Sequence, residues 1–109
     1  MGKKEENAMT QVKLGLDGGR KEALERALWR SVRTLDPYMG RIYLTMLDEI
    51  KGSSDKILLG VAEQNCARCA LKAIIREEGP SPEAEDLLAR LTMTRKQYAA
   101  WRQGKEETT

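Results

Sequence analysis

The sequence predicts an all-α fold, a compact bundle of about five helices that closes with a C-terminal helical hairpin. Three observations predict it. Apolar residues recur at spacings of three and four in every well-patterned segment. Asp36-Pro37 and Ser81-Pro82 each pair a side-chain cap with a proline preorganised for the first helical position. No run alternates apolar and polar residues as a half-buried strand does. A length of 109 residues fits one domain, and 40% apolar content suffices for a modest core. No stretch approaches the roughly 20 apolar residues that a membrane-spanning helix needs, and no secretory signal is expected.

Met1–Gly19 reads as a flexible N-terminal arm over residues 1–19, closing on the turn signal Asp17-Gly18-Gly19. Within it, Val12, Leu14 and Leu16 are placed to dock as a short extended piece. The helical domain spans 20–104. Its first helix starts at Arg20 and carries Leu24, Leu28, Val32 and Leu35 on one stripe, flanked by Ala23 and Ala27, with Trp29 at the edge. Asp36-Pro37 opens the second, whose stripe is Met39, Ile42, Tyr43, Met46, Leu47 and Ile50, and Gly52 stops it.

Ser53-Ser54-Asp55 is expected to open a third helix reaching Glu78. One face carries Leu58, Val61, Ala62, Cys66, Cys69 and Ala73, and Leu71, Ile74 and Ile75 are apolar on another side, so this helix is expected to be central. Gly79-Pro80 ends it. Ser81-Pro82 starts a short fourth helix to Leu91, Thr92-Met93 turns, and a last helix runs from about Thr94 to Gln103, with Gly104 behind it and a polar tail over 105–109.

The chain has no histidine, so the commonest general base and metal ligand are both missing. No cofactor, metal site or enzymatic activity is expected. Cys66-Ala67-Arg68-Cys69 lies inside a predicted helix instead of at its start, where a reactive thiol is favoured, and two cysteines without histidine fall short of a four-ligand zinc site. The pair reads as core packing. Asn65 leaves two readings open, a buried amide that fixes helix register or a residue at the solvent margin. Glu83, Glu85 and Asp86 complement the positive end of the fourth helix, whereas Glu77 and Glu78 sit unfavourably at a C-terminus.

A net charge of +2 is small, and acids and bases are near balance along most of the chain. The exception is Thr94–Lys105, which holds Arg95, Lys96, Arg102 and Lys105 with no acid among them. A compact basic face is the footprint of a phosphate-binding element.

The stretch from Leu87 to Lys105 resembles the helix-turn-helix of small DNA-binding proteins of phage and bacterial regulator type. Leu87, Leu91, Met93, Tyr98 and Trp101 stand where that motif locks its two helices, Thr94 would cap the recognition helix, and Trp101-Arg102-Gln103-Gly104-Lys105 is similar to the motif's W-x-x-G-K exit. Thr92 replaces the family's turn glycine, and Leu88 its small residue. The resemblance implies a double-stranded DNA partner, with Arg95, Lys96 and Gln97 reading the groove, Arg102 and Lys105 on phosphate, and Ala99 against a thymine methyl. Limited phosphate contact from one short helix implies a homodimer or higher oligomer. Asp55–Gly79 also resembles the helical region of phage small terminase subunits, on Asp55, the Leu58–Ala62 run and Glu77-Glu78-Gly79. The alternative is a helical protein-binding adaptor or an inhibitor of a nucleic-acid-processing machine, with its interface at Trp29, Tyr38 or Met39. An intracellular, cytoplasmic location follows from two thiols of reduced type and the expected lack of a signal.

Overall fold

The computed structural model describes residues 11–33, 36–53 and 55–108. In chain order these form β1 (Val12–Gly15), α1 (Arg20–Ser31), α2 (Pro37–Lys51), β2 (Lys56–Leu59), α3 (Val61–Glu78), α4 (Pro82–Thr92) and α5 (Arg95–Thr108). The fold is all-α in its bulk, with one small antiparallel sheet that pairs Val12 with Leu59 and Gly15 with Lys56.

The sheet corrects the expectation of no strands. Ile57 and Leu59 are buried while Lys56 and Leu58 are exposed, a period of two carried by only four residues. So short an alternation also fits the opening turn of a helix, and its partner strand lies more than forty residues away. The third helix accordingly begins at Val61, not at Asp55. Gly60 precedes it, and the Gly60 amide donates to Glu63 Oε1 at 3.0 Å, which satisfies a donor at the helix entry. Asp55 and Leu58 therefore lie outside that helix, and the Asp55–Gly79 segment is not one continuous helical region.

The arm divides. Residues 1–10 lie outside the described residues, whereas Leu14 and Leu16 of the expected extended piece are buried in the core. Gly18 and Gly19 then adopt φ of 61° and 86°, left-handed values that only glycine takes cheaply, and turn the chain into α1.

Both cap-plus-proline starts form. Asp36 accepts from the Tyr38 amide at 3.0 Å and the Met39 amide at 3.4 Å, and Ser81 Oγ accepts from the Ala84 amide at 3.2 Å. Gly52 ends α2 as expected. Gly104 does not end α5, which continues through the expected tail to Thr108; Lys105 and two glutamates behind the glycine are good helix formers.

One core unites the bundle. Leu24 and Leu28 of α1, Met46 and Ile50 of α2, Leu71 of α3 and Leu87 of α4 are fully enclosed, together with Leu14 and Leu59 of the sheet. The α2 stripe falls as expected, with Tyr43, Met46, Leu47 and Ile50 buried. Leu35, expected on the α1 stripe, lies outside the described residues. α3 packs against α1, α2 and α4 and so is central. Its buried stripe, however, is Cys66, Ala67, Ala70, Leu71 and Ile74, while Val61, Ala62 and Cys69 are exposed. Of the two expected faces, Leu71, Ile74 and Ile75 pack in or against the core as expected, whereas the other is turned by about one position, from Cys69 toward Ala67 and Ala70, because both sides of α3 are rich in small apolar residues. Glu77 and Glu78 escape their unfavourable helix end by pairing with α1: Arg26 reaches Glu78 at 2.7 Å, and Arg30 reaches Glu78 at 2.9 Å and also Glu77.

Candidate nucleic-acid interface

α5 is joined to α4 by Met93 and Thr94 alone. Met93 is extended, at φ −105° and ψ 149°, and no described non-glycine residue has a left-handed backbone. Thr92 thus does not occupy a glycine-type conformation; it stays helical and its hydroxyl donates to the Leu88 carbonyl at 2.8 Å. The start of α5 is a reciprocal capping box. The Gln97 amide donates to Thr94 Oγ1 at 3.2 Å, and the Thr94 amide donates to Gln97 Oε1 at 3.0 Å. From α3, Arg68 donates to the Leu91 carbonyl at 2.8 Å and so braces the end of α4 just before the turn. Asn65, exposed, accepts from the same guanidinium and holds it in place. Of its two open readings, the solvent margin is the one observed.

The five residues expected to lock the hairpin divide into two groups. Leu87 and Leu91 are buried and belong to the main core, whereas Met93, Tyr98 and Trp101 are half-buried and lie outside it. No described side chain of α5 is fully buried. What fastens the helix is polar. The Tyr98 hydroxyl donates to Asp86 Oδ1, and Asp86 Oδ2 accepts from Arg20 Nε at 2.5 Å and lies 2.9 Å from Arg90 Nε. Arg90 Nε also donates to the Tyr98 oxygen at 3.1 Å, and its guanidinium stands 5.5 Å from the centre of the Tyr98 ring.

Asp86 is buried and is the point where α1, α4 and α5 meet. Burial pushes its carboxyl up, but the hydrogen bonds from Tyr98 and Arg20 and the charges of Arg90 and Arg20 outweigh that and hold it below the usual carboxylate value. The sequence shows only the Asp86–Arg90 pair, four apart on one helix; Arg20 and Tyr98 come from elements that only the fold brings near.

The expected DNA-contacting residues fall into three settings. Arg95 and Lys96 are exposed on the first turn of α5, and among the described residues neither makes an ion pair. Gln97 is exposed, but its amide oxygen is committed to the cap. Arg102 and Lys105 border a cleft of about 380 Å³ with Arg20, Trp101 and the carboxylates of Glu85 and Asp86. There Arg102 lies 3.4 Å from the Tyr98 oxygen, and Lys105 pairs with Glu85 at 3.2 Å and stands 5.3 Å from the centre of the Trp101 ring. Ala99 and Ala100 are exposed, which leaves the outward side of the helix slim.

Two other constellations have a plainer part. Cys66 is buried and its thiol is pushed up, chiefly by that burial, while Cys69 is exposed, so only the first of the two packs in the core as expected. Trp29 and Leu44 are about half exposed and border a cleft with Leu47, Asp48 and Lys51. In comparisons with models of protein families, with characterised proteins and with solved structures, the chain matches none.

Proposed function

We propose that the protein binds double-stranded DNA through α5, as a small non-enzymatic regulator or packaging-type protein of phage or mobile-element kind. The observation that carries this reading is the outward face of the helix. Arg95 and Lys96 project without ion pairs among the described residues from a capped first turn, beside the small Ala99 and Ala100. A helix of this kind suits the major groove, which is about 12 Å wide against a helix diameter of about 10–12 Å. Its 14 residues extend about 21 Å, enough to cross the groove. Arg95 and Lys96 then meet base edges or phosphate, Gln97 holds the turn that aims them, and Arg102 and Lys105 add positive potential from the far end. Use of two copies fits the small number of cations that one helix offers.

The test is a nuclear magnetic resonance titration of the labelled protein with a duplex of mixed sequence. The expected result is that amide shifts move at Thr94–Gln103 and stay fixed across α2. No movement in α5 at low salt, from a folded protein, overturns the proposal.

A second reading, a helical module that binds another protein, is favoured by the cleft beside Trp29 and Leu44, since exposed tryptophan is an efficient interface anchor. It uses α1 and α2 and leaves the α5 face without a role.

A further inference from the structure

A groove of about 770 Å³ runs between β1 and the start of α5, and its charge is one-sided. Lys13 of β1, Arg90 of α4, and Arg95 and Tyr98 of α5 line it, and among the described residues no carboxylate does. The clefts around Trp101, Trp29 and Pro80 each contain at least one carboxylate. Three elements thus place cations on one trough: Arg90 from α4 and Arg95 from α5, five residues apart, and Lys13 from the sequence-distant β1. Arg90 is partly balanced by Asp86, whereas Lys13 and Arg95 are exposed and make no ion pair among the described residues. β1 runs close to Arg90 at Gly15, where a Cβ would stand 2.9 Å from the movable end of the arginine side chain.

We infer that this trough seats the phosphodiester backbone of the DNA that α5 reads, and that Lys13 is a second contact point about eighty residues upstream of the recognition helix. The inference rests on the DNA-binding reading and adds to it a contact outside the hairpin. The occupant is a phosphate ridge and not an unstacked base. The aromatic ring in the trough, Tyr98, already has Arg90 over it and its hydroxyl on Asp86, so it offers a poor stacking platform of the sort that single-strand binders use. A duplex therefore binds better than a single strand.

The experiment is fluorescence anisotropy of a labelled mixed-sequence duplex, and of one of its strands alone, over a salt series. It compares the full chain with Lys13→Gln, Arg95→Gln and, as control, Lys72→Gln, an exposed α3 lysine outside the trough. Lys13→Gln is expected to weaken duplex binding about five- to tenfold at about 0.1 M salt and to reduce the slope of log K against log salt by about 0.9, one phosphate contact. Lys72→Gln is expected to change neither, and the single strand to bind less tightly than the duplex. If Arg95→Gln weakens binding while Lys13→Gln matches the parent chain, the trough assignment is wrong and the DNA reading stands. A single strand that binds more tightly than the duplex overturns the phosphate-ridge occupant. If the parent chain binds no duplex at low salt, the DNA reading fails and the trough falls with it.

Discussion

Asp86 is the only charged residue among the described ones that is buried, and three elements depend on it. Its two oxygens serve Tyr98, Arg20 and Arg90, so removing its charge leaves Arg90 without a counter-ion among the described residues and Arg20 with only the exposed Asp17, 3.6 Å away. Asp86→Asn is expected to cost about 2–3 kcal/mol in urea unfolding, below the usual figure for a fully buried pair because both arginines keep some access to water. Tyr98→Phe removes one hydroxyl from the same network and is expected to cost about 1–2 kcal/mol at neutral pH. The pH dependence follows from the direction of the Asp86 shift. Its folded carboxyl lies below its unfolded value of about 3.9, so its contribution is complete above that value and is lost as pH falls through the folded one. The cost of Tyr98→Phe should therefore shrink as pH falls below that unfolded value; a cost that stays constant as the carboxyl is protonated would show that the hydroxyl does not act through the carboxylate. The i,i+4 spacing of Asp86 and Arg90 is legible in the sequence. The convergence of Arg20 and Tyr98 on the same carboxylate is not, because it depends on the approach of α1 and α5 to α4.

At the scale of elements, local signals and long-range ones part company. Asp36-Pro37, Ser81-Pro82 and Gly52 act through neighbours within four residues, and the helix ends that they predict are the ones observed. The Thr94 cap is local in the same way. The β1–β2 sheet is not. Its four-residue strands carry too little alternation to be told from helical turns, and what makes them strands is each other. The phase of α3 was also hidden, since Val61, Ala62 and Cys69 are as apolar in type as the residues that α1, α2 and α4 cover. α5 follows from its attachment: with no fully buried side chain, it relies on its cap and on Tyr98. Thr94→Ala is expected to cost about 1 kcal/mol. The loss should be confined to α5, where amide hydrogen exchange speeds up in the first turn while α1–α4 keep their protection. Faster exchange throughout the chain would mean that α5 is part of the cooperative core and not appended to it.

The molecule as a whole is a small apolar bundle with an unevenly charged surface. Its core is fixed by Leu14, Leu28, Met46, Leu71 and Leu87 from five elements, while α1 is tied to the end of α3 by exposed Arg–Glu pairs that contribute little to stability. A net charge of +2 conceals the asymmetry. Carboxylates line most clefts, but among the described residues none lines the trough beside β1, where Lys13 and Arg95 make no ion pair and only Arg90 is balanced, by Asp86. The basic stretch of α5 was legible in the sequence as a run without acids. The contribution of Lys13 was not, because β1 reaches this face only through its pairing with β2 and its approach to α4. The most direct test is the salt dependence of duplex binding by fluorescence anisotropy for the parent chain and for Arg95→Glu/Lys96→Glu. The parent is expected to bind with log K falling linearly in log salt, and the double variant to lose about two units of that slope along with most of its affinity. Equal affinity and equal slope for the two proteins, both folded, would contradict α5 as the DNA-binding element.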